Sequence, residues 1–306
     1  MDETLIAGFC DCHMHIVGPT DKFPQIANRS YTAGPASVAS LVAAGRSEGV
    51  TRFVAVQPSF YGTDNSCMMR ALEELGDFGR GVAVVEPLRT SANALEDYGR
   101  RGICGLRLNL YSFALADVRS HLERSLGDAL NILPRPGWHI EIIAGIQTLV
   151  ATAPILANAG VPIVIDHYGL PDDHTPDSAV GRTLLDLAAL PHIWVKLTAP
   201  YRCSQNPVET SPPDDWLRAF LRTAPDRCVW GSDWPHTPIR NHAQAGDSLL
   251  PYRNMAYGKL FSDFVKGLPT PDIARRVLIE NPTRLYGFPS SNNSRTPRGV
   301  KGIAPK

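Results

Sequence analysis

The sequence predicts an α/β protein, a (β/α)8 TIM barrel forming a single domain, and three observations carry that expectation. Eight short runs rich in β-branched residues recur along the chain, segments of helical periodicity stand between them, and no linker divides the whole. At 306 residues and 43% hydrophobic content, the chain can bury a barrel-sized core. Strands alternating with helices over such a length imply strands that all run parallel and close on themselves. A doubly wound open sheet is the alternative, but no G-x-G-x-x-G follows the first run and no Walker loop occurs.

In order, the first run is GFCDCHMHI (8–16), followed by ASVASLVAAGRSEG (36–49), whose apolar residues return at helical spacing. RFVAVQPS (52–59) leads into DNSCMMRALEELGD (64–77). RGVAVVEP (80–87) and ICGLRLNLY (103–111) come next, then VRSHLERSLGDALNIL (118–133). GWHIEIIA (137–144) precedes IQTLVATAPILANAG (146–160), and VPIVIDHYG (161–169) and HIWVKLTAP (192–200) precede DDWLRAFLRTA (214–224). RCVWGSDWP (227–235) is the eighth run. The barrel is expected over 1–288. The remainder, PSSNNSRTPRGVKGIAPK (289–306), has too few apolar residues to pack and reads as a flexible tail.

Thirty basic residues balance thirty acidic ones, which removes the broad attraction that nucleic-acid or anionic-membrane binding requires. The start MDETLIAGFCDC lacks a basic stretch followed by a long apolar one, and no run of roughly 18 apolar residues occurs. A cytoplasmic protein is expected. Cys10, Cys12, Cys67, Cys104, Cys203 and Cys228 form no C-x-x-C pair and read as reduced and structural. The expected partner is a small molecule, and a homo-oligomer is compatible with all of this.

In a barrel, polar residues at the C-terminal strand ends read as catalytic. The first run carries Asp11, His13 and His15, which share one face if the strand is regular. The second ends in Gln57 and Ser59, the fourth carries Arg107 and Asn109, and the sixth ends in Asp166 and His167. The seventh holds Lys196 and Thr198 before Tyr201 and Arg202, and the eighth reaches Asp233 and His236. Any one could be a solvated strand end; polar endings on six of eight runs point to one shared site. Three imidazoles and a carboxylate, His13, His15, His167 and Asp233, suffice for one zinc or manganese ion. They suffice equally for metal-free catalysis, with the imidazoles donating to a carbonyl oxygen that becomes negative during attack. No G-x-S-x-G occurs, which argues against a serine nucleophile.

DCHMH in the first run, VIDHYG in the sixth and WGSDWPH in the eighth, closed by NPTRLYGF, resemble the amidohydrolase superfamily, amidohydrolase-related family 2. QPSFYGTDN, RGVAVV, GLRLN, GWH and KLTAPY extend the resemblance over roughly 8–288, within the branch of lactonases acting on pyrone-dicarboxylates, sulfomuconolactone and sugar acids. The resemblance implies hydrolysis of a carboxylated lactone, in aromatic or sugar-acid catabolism. Asp233 then activates water, and His13, His15 and His167 stabilise the oxyanion. The usual metal set of the superfamily is incomplete here, because the fourth run offers Arg107 and the fifth has only His139, near its start. No cofactor is therefore expected, with one zinc or manganese ion on His13, His15, His167 and Asp233 as the alternative. Arg107 and Arg202 are implied as anchors for acid groups, each with a structural ion pair or a loop charge as its bland reading, and Tyr31 is a further substrate contact. Leu170 and Ile143 stand where the pyrone-dicarboxylate lactonase has arginine and tyrosine, implying one fewer anchored charge. Glu141 and Lys196 are expected to pair with each other or with Glu86, Glu141 alternatively serving as a metal ligand. His236 should support Asp233 or its loop, and His242 with Tyr252 to Tyr257 could contribute to a lid. A metal-dependent decarboxylase, a lactone isomerase and a non-catalytic binding barrel are the rival readings.

Overall fold

Eight parallel strands follow one another in chain order round a common axis: β1 Phe9–Met14, β2 Val50–Val56, β3 Gly79–Ala83, β4 Ile103–Asn109, β5 His139–Ile143, β6 Ile163–Ile165, β7 Ile193–Thr198 and β8 Cys228–Gly231. The computed structural model describes residues 8–27, 29, 31–111, 115–134, 136–238 and 249–289. The tail expected at 289–306 lies outside these except for Pro289, and so does His242. The sheet closes where β8 returns to β1: the Asp233 amide donates to the His13 carbonyl at 2.8 Å and the His15 amide to that of Trp234 at 2.7 Å. The fold is the expected (β/α)8 barrel. All eight predicted runs hold a strand, and most overshoot it at the C-terminal end, where polar residues already belong to the loops of the mouth.

A helix follows each strand: α1 Val38–Arg46, α2 Ser66–Leu75, α3 Ala92–Arg100, α4 Leu115–Ile132, α5 Ile146–Ala157, α6 Ala179–Ala189, α7 Asp214–Thr223 and α8 Tyr257–Gly267. Ser37, Ser91 and Ser178 start three of them by accepting a backbone N–H of the first turn, a satisfaction of otherwise orphaned donors. The periodicity singled out five helices and passed over α3, α6 and α8. The first buries only Leu95 among its residues. The last buries Tyr257, Leu260, Phe261 and Phe264 at helical spacing, so Tyr257 belongs to the helix layer and not to a lid. Tyr252 is tied down as well, its hydroxyl donating to the Gly34 carbonyl.

The core has two layers. Leu, Ile, Phe and Met side chains from the helices pack against the outer face of the strands. Inside the barrel, Cys10, Cys12, Val54, Val82, Cys104, Val164, Trp194 and Val229 form an apolar floor, and Tyr286 and Phe288, at and just beyond the end of α9 (Asn281–Tyr286), join it. Being buried on both faces, the strands read as continuous apolar runs rather than alternating ones. All six cysteines are free thiols. No described helix is long and apolar enough to cross a membrane.

Candidate active site at the barrel mouth

Above the apolar floor, polarity rises in two steps, and the route by which β1 reaches the mouth explains the upper one. Between Asp11 and Met14, three steps of β1 are matched by two of β2, from Phe53 to Ala55. That extra residue is a bulge, and it changes which face the following side chains take. Asp11 therefore does not share a face with His13 and His15: its carboxylate accepts from the Ser232 amide at 2.9 Å, the Ser232 hydroxyl at 2.6 Å and the Tyr257 hydroxyl at 3.0 Å. It pins β8 and α8 to β1, while His13 and His15 enter the mouth. Burial pushes its carboxyl up to about 6.

His13, His15, His167 and Asp233 converge there as the sequence predicts. The His13 ring lies 5.1 Å from that of His15 and 4.8 Å from that of His167 between centroids. His15 Nε2 is 3.2 Å and His13 Nε2 3.6 Å from the same oxygen, Asp233 Oδ1. The other oxygen, Oδ2, accepts from the Tyr201 hydroxyl at 2.6 Å and from Arg202 Nε at 2.9 Å. Burial alone would raise the Asp233 carboxyl, but the Arg202 guanidinium and the His15 hydrogen bond outweigh it and hold the group well below the ordinary carboxylate range. His167 is drawn down to about 3 by burial, and its Nδ1 sits 2.7 Å from Thr198 Oγ1. His167 and Asp233 both hold left-handed backbone, at φ 52° and 56°. Non-glycine residues adopt that region at a cost of about 1–3 kcal/mol each, and such strain gathers at functional sites.

The lower step is a layer of four buried charges. Lys196 contacts Glu141 Oε2, as the sequence leads one to expect, and stands 3.7 Å from Asp166 Oδ1. Glu86 takes no part; it is exposed beside Arg89 on the turn after β3. Arg107 Nη2 donates to Asp166 Oδ2 at 3.1 Å and Nη1 to the Gln57 carbonyl at 3.1 Å, with Nε 3.7 Å from Glu141 Oε1. Burial, with Asp166 beside it, pushes Glu141 up to about 7. Asp166 goes the other way: burial would raise it, but the cations of Lys196 and Arg107 beside it hold it low. Asp166 was visible in the sequence only as a strand end; its contacts depend on how β6 stands against β1 and β4.

The remaining candidates divide. The Gln57 amide donates to the carbonyls of Gly62 at 3.2 Å and Asp64 at 2.8 Å, so it holds the loop after β2. Asn109 Oδ1 accepts from the Tyr111 amide at 3.0 Å. Ser59 is half-buried on the short turn Ser59–Tyr61. Tyr31 is buried edge-on against Phe60. Arg202 Nη2 donates to Thr237 Oγ1, leaving Nη1 without a hydrogen bond among the described residues. His236 stacks edge-on to Tyr201, 6.2 Å between centroids, and donates its backbone amide to the Asp233 carbonyl at 2.8 Å. His139 lies in the floor, 5.4 Å from the Tyr286 ring, far below the mouth. Tyr201, whose hydroxyl reaches the carboxylate, is the contact that sequence reasoning named but gave no role.

By separation, His13, His15 and Asp233 could hold a cation, since one ligand atom from each lies within 4.8 Å of the others; His13, Asp166 and His167 form a second such group. By its hydrogens His15 offers no lone pair as it stands, because Nδ1 donates to the Val56 carbonyl at 2.8 Å and Nε2 to Asp233 Oδ1 at 3.2 Å. His13 is closed by another route. Lys196 Nζ stands 3.1 Å from His13 Nδ1, and an ammonium can only donate. Nδ1 accordingly accepts, and Nε2, the nitrogen turned to Asp233, carries the hydrogen and has no lone pair to offer a metal.

A barrel with paired histidines leaving its first strand, a histidine after its sixth and an aspartate after its eighth defines the class of amidohydrolase-type barrels. The chain belongs to the amidohydrolase family, whose pattern matches residues 10–288. It is 30% identical over 286 residues to 4-sulfomuconolactone hydrolase of Hydrogenophaga intermedia, covering 92% of this chain and 89% of that one. It is equally 30% identical over 295 residues to 2-pyrone-4,6-dicarboxylate hydrolase of Comamonas testosteroni, covering 92% and 91%. Among solved structures, a probable 2-pyrone-4,6-dicarboxylic acid hydrolase of Acinetobacter baumannii, with citric acid bound, superposes with a TM-score of 0.75 at 27% identity, covering 92% of this chain and 99% of that one.

Proposed function

We propose that the protein is a lactonase, a carboxylic ester hydrolase that opens the ring of a carboxylated lactone of the muconolactone, pyrone-carboxylate or sugar-acid type and requires no metal ion. The observation that carries this reading is the convergence of His15 and His13 on one oxygen of Asp233, at 3.2 and 3.6 Å, with Arg202 on the other at 2.9 Å. The relatives named for sulfomuconolactone and pyrone-dicarboxylate hydrolysis support it.

In the reaction, a water beside Asp233 gives a proton to the carboxylate as its oxygen attacks the ring carbonyl. The carbonyl oxygen, gaining charge, is met by the Nε2–H of His13 and by His167. The ring C–O bond then breaks and Asp233 returns the proton to the departing alkoxide, so ester and water become acid and alcohol. A carboxylate so heavily hydrogen-bonded is a weak base, and oxyanion stabilisation must supply much of the acceleration. Arg202, through Nη1, takes the substrate carboxylate, while Arg107, its guanidinium held by Asp166 and the Gln57 carbonyl, stays in the charge layer beneath. Tyr31, Ser59 and Asn109 contact the ring's polar edge, whereas Gln57 positions its loop. The partner is thus a small anionic lactone. The six free thiols and balanced charge favour a cytoplasmic setting in aromatic or sugar-acid catabolism.

A panel of carboxylated lactones, followed by acid release after exhaustive chelation, tests the proposal. Ring opening of at least one is the expected result. Activity lost on chelation and restored by zinc or manganese would overturn the metal-free reading, and release of carbon dioxide would replace the lactonase by a metal-dependent decarboxylase. A lactone isomerase would show as ring migration in the NMR spectrum of the product. An unchanged lactone across the panel would leave a binding barrel.

A further inference from the structure

We propose that Lys196, held in place by Glu141, is a positioning residue that fixes the hydrogen of His13 on Nε2, so that the ring faces the substrate carbonyl as a donor and is closed to divalent metals. This rests on the lactonase reading for its catalytic consequence but not for its geometry. Lys196 is fully buried and comes from β7, two strands round the barrel from Glu141 on β5. An ammonium in that position is costly unless paired; Glu141 supplies the pair, and the remaining hydrogens of Nζ are directed by it. One reaches His13 Nδ1 at 3.1 Å.

A competitor for the same nitrogen exists. Asp166 Oδ1 lies 3.3 Å from Nδ1 and would accept a hydrogen from it. It makes no hydrogen bond among the described residues, while its sister oxygen is taken by Arg107. Two acceptors therefore face each other, Asp166 Oδ1 and the Nδ1 lone pair, with the Lys196 ammonium beside both. Nδ1, taking a hydrogen from Lys196, bears none of its own, so the ring carries its hydrogen on the other nitrogen. That hydrogen is on Nε2, which is buried, has no hydrogen-bond partner among the described residues, and looks toward Asp233 Oδ1 across 3.6 Å. A buried donor with nothing to bind is expensive at rest, and it is the arrangement an oxyanion would satisfy.

The neighbouring His15 makes the contrast. Its Nδ1 faces a backbone carbonyl, the usual companion of a ligating imidazole, whereas His13 faces a cation, the reverse. Glu141 and Lys196 thereby decide which of the two chemistries open to this histidine set is available.

The experiment is a 15N NMR spectrum of the full-length protein labelled at the histidine ring nitrogens, with His13 assigned by loss of its signals in His13→Gln. The expected result is an unprotonated Nδ1 and a protonated Nε2 for His13; a protonated Nδ1 overturns the proposal, whatever the variants do. In Lys196→Met/Glu141→Gln, which removes both charges together, the hydrogen should move to Nδ1 and turn to Asp166. Zinc affinity measured by calorimetry should then rise by about tenfold or more over the wild type, and kcat on a lactone should fall on the order of 100-fold with KM little changed. A folded double variant with the wild-type tautomer and wild-type zinc affinity overturns the proposal too. If the wild-type ring is Nε2-protonated and no lactone is opened, the lactonase reading fails and the assignment of Lys196 stands.

Discussion

Asp233 is asked to be a base while three donors hold its charge, and that tension governs what its replacement does. Asp233→Asn keeps the shape and loses the proton acceptor, so kcat should drop by a factor on the order of 100 to 10,000 with substrate still bound; near-wild-type turnover would end the mechanism. Because Arg202 is the strongest of the influences that lower the carboxyl, the base stays ionised through the mildly acidic range, and the wild-type kcat/KM profile should show no acid limb from it above about pH 4. Arg202→Met removes that influence. The Asp233 pKa then rises and the acid limb moves to higher pH, alongside a weaker KM; a limb that stays put or moves down would show that Arg202 does not tune the base. Arg107 is tested differently. Its guanidinium is occupied by Asp166, the Gln57 carbonyl and Glu141, so Arg107→Met should cost about 3–5 kcal/mol of stability by leaving buried carboxylates uncompensated. Denaturant midpoints near the wild type with a raised KM would instead return Arg107 to the role of substrate anchor.

Strand geometry determines how much of this could be read beforehand. Eight β-branched runs were legible because parallel barrel strands are buried on both faces, and His13, His15, His167 and Asp233 were legible because chemistry in this fold sits at strand ends. The Lys196–Glu141 pair was legible as well, since odd strands share layers in the lumen. The bulge in β1 was not, because an extra residue is defined by its partner strand, and it is what parts Asp11 from the two histidines. Asp166 and Tyr201 escaped for a similar reason: their partners stand on other strands, at heights that the local sequence does not encode. The seam between β8 and β1 is the place where such register is tightest. A Cβ on Gly231 would come within 2.6 Å of the His13 amide nitrogen and 2.9 Å of Thr198 Cγ2. Gly231→Ala should therefore cost about 1–3 kcal/mol through overpacking and displace His13 enough to lower kcat by roughly tenfold or more. Gly105→Ala serves as the control, since its Cβ would meet His139 Nε2 at 2.5 Å in the floor, away from the mouth. It should lose comparable stability and keep kcat. Thermal melts set beside turnover numbers distinguish the two, and equal losses of kcat in both would show that the seam has no special hold on the site.

Burying so many titratable groups in one lumen and mouth also fixes how the folded state responds to acid. His139 and His167 are drawn down to about 3 and His236 to about 4, in each case by burial first, and His13 falls well below the ordinary range for the same cause. An unfolded histidine takes up a proton near 6.5, so between that value and about 4 the unfolded chain binds these four protons and the folded one does not. Asp11, raised to about 6, and Glu141, raised to about 7, act oppositely: below those values each holds a proton in the folded state that it gives up on unfolding. Four gains against two losses leave the unfolded chain ahead by about two protons near pH 5.5, and stability rises with pH wherever the unfolded state binds more. Lowering the pH through the window from 6.5 to about 5 should thus remove roughly 3 kcal/mol per pH unit at its steepest. Below that, Asp166 and Asp233, both held low, add to the loss as they are forced to protonate. Urea midpoints measured at half-unit steps of pH check this directly: a steep fall on the acid side of 6.5 is expected, flattened by His139→Gln, which removes a floor histidine remote from the mouth. A midpoint constant from pH 7 to 5 would mean that the folded chain takes up as many protons in that window as the unfolded one, so that the buried histidines do not stay neutral as the oxyanion scheme requires.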